Sequence, residues 1–138
     1  MFKLEQDGTA KYTLPKTERL TGKKAITSLF SHGESFFIFP LKVCWFPRQS
    51  PENLDPPQLL ISVSKRNFKK AVHRNRIKRL IREAYRLHKQ EFNAIPINLI
   101  PETIGLVYVG KELPNFSDIE KKLISVLRRF NTTGTNPS

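Results

Sequence analysis

The chain has 138 residues, the length of one domain, and 38% of them are apolar, ten of them Phe, which excludes wholesale disorder. Its 24 Lys and Arg outnumber 12 Asp and Glu, and the formal net charge of +12 repels the molecule from itself and points to a polyanionic partner. One cysteine, Cys44, excludes an internal disulfide framework and any Cys-rich zinc site; no stretch has the apolar length of a signal peptide or a membrane span, so a reducing cytoplasmic setting is expected.

Residues 1–15 carry scattered charges and too few apolar positions to form an element, so they are expected to be a loosely held arm. One domain then spans 16–130, and 131–138 is expected to be a disordered tail. Thr21 is placed to cap a helix over 22–32 with Ala25, Ile26, Leu29 and Phe30 as its apolar stripe, and Gly33 to end it in a left-handed turn. Residues 35–46, SFFIFPLKVCWF, are rich in aromatic and β-branched types and should be extended, divided at Pro40. Leu41, Val43 and Trp45 alternate there against Lys42, Cys44 and Phe46. The first set reads as a buried face; the second is either further core, the heavier reading, or a surface for bases.

The segment 47–57 holds four Pro and reads as a loop, and 58–64, QLLISVS, as a central strand. That strand runs directly into Lys65–Lys89, where eleven Lys and Arg face a single acid, Glu83. From Ala71 nothing breaks a helix for about five turns. Ile77, Leu80, Ile81, Ala84, Leu87 and His88 fall on one flank; Asn75, Lys78, Arg79, Arg82, Arg86 and Lys89 fall on the other. Pro96 and Pro101 mark 93–103 as a connector, 104–110 reads as a buried strand, and 111–115 as a loop. A final helix over 118–130 carries Ile119, Leu123, Val126, Leu127 and Phe130, with Ser117 and Glu120 in a capping-box arrangement. Strand, long helix and strand make a β-α-β unit with parallel strands inside one α/β sandwich.

A cationic helix face is often merely solvated. Such faces usually mix signs, however, whereas this one sets like charges against each other, a cost that a nucleic-acid partner removes. His32, His73 and His88 lack companions at metal-ligand spacing, and Asp118 with Glu120 suits a helix's first turn better than a nuclease metal site. No phosphate loop and no nucleophile set can be nominated, so the chain offers no catalytic residue of its own.

The run LLISVSKRNFKKAVHRNRIKRLIREAYR resembles the protein component of bacterial ribonuclease P: Arg-Asn-Arg-Ile-Lys-Arg stands unchanged at 74–79, with Arg82-Glu83 in phase. The likeness extends from Arg19-Leu20 through Phe30 and His32-Gly33, across the strands, to Val107, Lys111 and the last helix, about residues 16–130. It implies a two-layer α+β sandwich, ribosomal-protein-like, with a mixed sheet of about four strands and three helices. Its β-α-β crossover would be left-handed, against the general right-handed rule. It also implies a 1:1 complex with ribonuclease P RNA that removes the 5′ leader of precursor tRNA, with Mg2+ held mainly by the RNA and no organic cofactor. Carried over, Lys65, Arg66, Arg74, Asn75, Arg76, Lys78, Arg79, Arg82 and Arg86 are the RNA-facing set. Ile26, Phe30, Val43, Cys44 and Trp45 are the expected cleft for the leader.

The chain departs from the family pattern at Ile26 and Cys44, where aromatics are often found; Phe37, Phe39, Trp45 or Phe46 could substitute. The connector over 93–103 is also longer and richer in Pro than the family pattern. Rival readings are a non-catalytic ribosomal or RNA-assembly protein, and a DNA-binding basic helix. The second is weakened by the lack of a dimerising heptad or a helix-turn-helix partner.

Overall fold

A computed structural model describes residues 22–49, 52 and 55–130. The expected arm, the Thr21 cap and the expected tail lie outside these. In chain order the elements are α1 (Lys23–His32), β1 (Glu34–Ile38), β2 (Leu41–Phe46), β3 (Gln58–Val63), α2 (Ala71–His88), β4 (Thr103–Tyr108) and α3 (Phe116–Arg129), with two short 3-10 turns, Lys89–Ala94 and Ile97–Leu99, between α2 and β4.

The four strands form one mixed sheet in the order β1-β2-β4-β3. β1 and β2 pair antiparallel across the turn at Phe39 and Pro40, β2 pairs antiparallel with β4, and β3 pairs parallel with β4, completing the expected β-α-β unit. Side chains alternate across the pleat. Phe36, Val43 and Leu106 therefore lie in register on one face, and Ser35, Cys44, Gly105 and Leu60 on the other.

The first face carries the main core. Ile77, Ile81, Ala84 and Tyr85 of α2 and Ile119, Leu123, Val126 and Leu127 of α3 are buried against it. Phe130 is the hub: its ring meets those of Phe36, Trp45 and Phe92 at 5.5, 5.3 and 6.1 Å, each edge-on. α2 is tied to α3 by His88 Nε2 and Glu120 Oε2, 2.7 Å apart. On the other face α1 lays Leu29 over Cys44, with Ile26, Phe46 and Leu60 around them.

Four expectations change. Gly33 is extended (φ −75°, ψ 162°), not left-handed; a side chain there is excluded by crowding, since a Cβ would stand 2.5 Å from the Leu29 carbonyl oxygen. The last helix begins at Phe116, and its cap is Asn115, whose side-chain oxygen accepts from the Asp118 amide at 2.8 Å. The earlier start lets Phe116 pack on the core, and Glu120 bonds His88 rather than a cap. Tyr85, absent from the sequence-derived stripe, is fully buried, while Leu87 at that stripe's edge is exposed.

Candidate nucleic-acid interface

β3 ends at Val63 and the chain reaches α2 through a seven-residue loop that is fixed from both sides. Ser64 Oγ accepts from the amides of Arg66 and Asn67 at 3.1 and 3.3 Å, a hydroxyl turn that folds the loop over. Asn67 Nδ2 donates to the carbonyl oxygens of Val109 and Gly110, each at 3.3 Å, which stitches the loop to the end of β4. Phe68 is buried beside Tyr108, their ring centroids 6.0 Å apart. Arg74, one turn into α2, donates through Nη1 to the carbonyl oxygens of Phe68 and Lys69 at 2.8 and 2.9 Å. These contacts leave Lys65, Arg66, Lys69 and Lys70 exposed on a held backbone, above the carboxyl ends of the two parallel strands.

On α2 the expected RNA-facing residues separate. Asn75, Arg76 and Arg79 are exposed, Lys78 and Arg82 are half-buried, and Arg74 spends its Nη1 on the loop. Arg86 is half-buried and, at the far end of the helix, lines a cavity of about 390 Å3 with Arg48, Lys89 and Ile100, away from the loop cations. The α2 N-terminus has no acidic residue in its first turn, and its cap, Lys70, makes no side-chain bond to the amides. The partial positive charge of the helix end thus adds to Lys69 and Lys70 instead of being offset. The result is a held ridge of positive charge, able to neutralise several phosphates.

The expected cleft residues do not come together. Val43 is fully buried, and Trp45 leans on Phe130, both on the α2–α3 face of the sheet. The pleat sends them away from α1, so neither side chain reaches the α1 side. Cys44 does face α1 but lies 4% exposed beneath Leu29. Burial raises its thiol pKa, with Lys42 pulling weakly the other way. Ile26 is half-buried beside it, and Phe30, 44% exposed, is the one aromatic of the expected set open to solvent. Sequence reasoning left Lys42 out of the cleft, yet it lies exposed on the α1 side of the sheet, two residues before Cys44 on the same strand.

Among the described residues no group of three or more His, Cys, Asp or Glu could hold a metal ion, and no helix is long and apolar enough to cross a membrane.

Comparison with known proteins gives one family. The model described as Ribonuclease P matches residues 14–131. The chain is 38% identical over 130 residues to the ribonuclease P protein component of Porphyromonas gingivalis ATCC 33277, covering 94% of this chain and 93% of that one. It is 29% identical over 120 residues to that of Desulfovibrio desulfuricans, covering 87% and 88%. Among solved structures, the RNase P protein of Staphylococcus aureus superposes with a TM-score of 0.65 at 26% identity, over 83% of this chain and 95% of that one. The RNase P protein of Thermotoga maritima gives a TM-score of 0.65 at 26% identity, over 81% and 96%.

Proposed function

This chain belongs to the ribonuclease P protein component family, and from that premise we propose how its surfaces divide the work of that enzyme. The family's role is removal of the 5′ leader of precursor tRNA, by an RNA-based endoribonuclease that needs metal ions and of which this protein is a subunit. In our reading the ridge formed by Lys65, Arg66, Asn75, Arg76, Lys78, Arg79 and Arg82 docks on the RNA subunit. Arg74 acts one step back, holding the loop that carries Lys65 and Arg66. Phe30 and the sheet face beside α1 take the single-stranded leader. Arg86, at the cavity end of α2, stands apart from this contact.

The carrying observation is the held loop: cations on a backbone fixed by Ser64, Asn67, Phe68 and Arg74 lose little further freedom on binding, which favours affinity. In this reading catalysis falls to the RNA, with Mg2+ bound there, as membership of an RNA-based enzyme family supports. The protein acts by binding: it screens the repulsion between two polyanions and holds the leader. It does so as one copy per RNA, in the cytoplasm. Mixing the protein with a bacterial ribonuclease P RNA and precursor tRNA at low magnesium should restore cleavage that the RNA alone performs poorly, and the protein alone should give no mature 5′ end. Specific cleavage by a preparation proven free of RNA, or no stimulation of the RNA, would overturn this reading.

A further inference from the structure

We propose that Phe37 and Phe39, on the edge strand β1 and the turn after it, form a second stacking platform for an unpaired base of the precursor leader. The inference rests on the leader-binding reading above and extends it to a part of the sheet that α1 does not cover.

Phe37 is 55% exposed and Phe39 61%, and their ring centroids stand 6.0 Å apart in an edge-on pair. Isolated exposed apolar side chains are ordinary, but two touching rings at a sheet edge, both more than half exposed, make a surface suited to a ligand. Pairing places Phe37 opposite Lys42, Lys42 opposite Val107, and Val107 beside Ser62, in one row on the α1 side of the sheet. The neighbouring row, Ser35, Cys44, Gly105 and Leu60, is the one that Leu29 of α1 closes over. The two rows are roughly 7 Å apart along each strand, so the platform continues the surface that begins under α1.

The chemistry selects the occupant. Two ring faces and an ammonium with no acid in the row match an unpaired base with its phosphate, as in single-strand binding surfaces that combine aromatic stacking with cations. A second copy of this chain would bring net charge +12 against +12. An apolar protein partner would bury Lys42 without a counter-charge.

The test uses the complex with the RNA subunit and compares binding of precursor and mature tRNA. The paired change Phe37→Ala with Phe39→Ala alters only exposed side chains, and thermal melts of the variant check that the fold is kept. Affinity for precursor should fall at least about fivefold, with no change for mature tRNA. Phe37→Leu with Phe39→Leu, apolar but without rings, should lose as much, and Phe37→Trp should keep binding. The proposal is overturned if the alanine pair keeps the wild-type preference for precursor, if mature tRNA loses equally, or if the leucine pair binds as wild type. A wild-type dimer that the alanine pair dissolves would assign the rings to self-association and overturn it too. If the wild-type complex shows no preference for precursor, the leader-binding reading itself fails and the platform with it.

Discussion

The guanidinium of Arg74 lies 2.8 Å from the carbonyl oxygen of Phe68, so one cation of the Arg-Asn-Arg run works inward on the protein's own backbone. With its second bond, to the Lys69 carbonyl oxygen, Arg74 ties the loop to the first turn of α2, whose amides have no side-chain cap. Arg74→Ala should cost about 1–3 kcal/mol of stability, the range for charge-assisted bonds that are partly solvated. Arg79→Ala, at an exposed position, should change stability by less than about 0.5 kcal/mol. Urea midpoints of the two variants compare them directly. Equal midpoints would show that Arg74 holds nothing.

The seat of α1 depends on Gly105. A Cβ there would stand 2.9 Å from Leu29 Cδ2, so the helix approaches the sheet as closely as a bare glycine permits. Gly105→Ala meets only the end of a flexible side chain and should be mild. Gly105→Val should overpack the site, cost about 1–3 kcal/mol and weaken precursor binding by shifting Phe30. Combining Gly105→Val with Leu29→Ala should recover part of the stability, and a double-mutant cycle in thermal denaturation measures the coupling. Additive losses would mean that the two residues do not share the site.

The buried Cys44 thiol supplies a pH dependence. Its folded pKa is raised above the ordinary 9.0 because burial disfavours the thiolate, and burial likewise raises Tyr108 above its ordinary 10.0, aided by Glu112 and Asp118. For both groups the neutral form is the one favoured by folding. The stability they contribute is complete below the ordinary value and is lost as pH rises through the folded one. Melting temperatures should therefore fall as pH climbs past about 9, less steeply in Cys44→Ala. A thiol reagent at pH 8 should label wild type slowly until denaturant is added. Immediate labelling of the native protein would contradict the burial.

Much of this was legible in the chain. Ile77, Ile81 and Ala84 recur at helical spacing, and β-α-β order follows from strand, helix and strand. The family resemblance at 74–79 agrees with the family match over 14–131. What was not legible depended on tertiary choices. Alternation separates Val43 and Trp45 from Lys42 and Cys44, but which face receives α1 is decided by packing, and so the expected cleft mixes residues of both faces. Arg74 and Arg79 look alike as letters; only the fold turns one onto carbonyl oxygens and leaves the other in water. Ser117 and Asn115 are both competent caps, and the earlier one goes with the partial burial of Phe116 against the core.

The central claim is that the α2 ridge and its loop dock on the RNA subunit. The most direct measurement is the affinity of the protein for ribonuclease P RNA as a function of salt, for wild type and for Arg79→Ala. With about five phosphates neutralised, log K against log salt should have a slope on the order of −3 to −5 for wild type. In Arg79→Ala the slope should shrink by about 1, with a loss of about 1–3 kcal/mol and an unchanged melting temperature. A wild-type slope near zero, or an Arg79→Ala variant with the wild-type slope and affinity, would contradict the account.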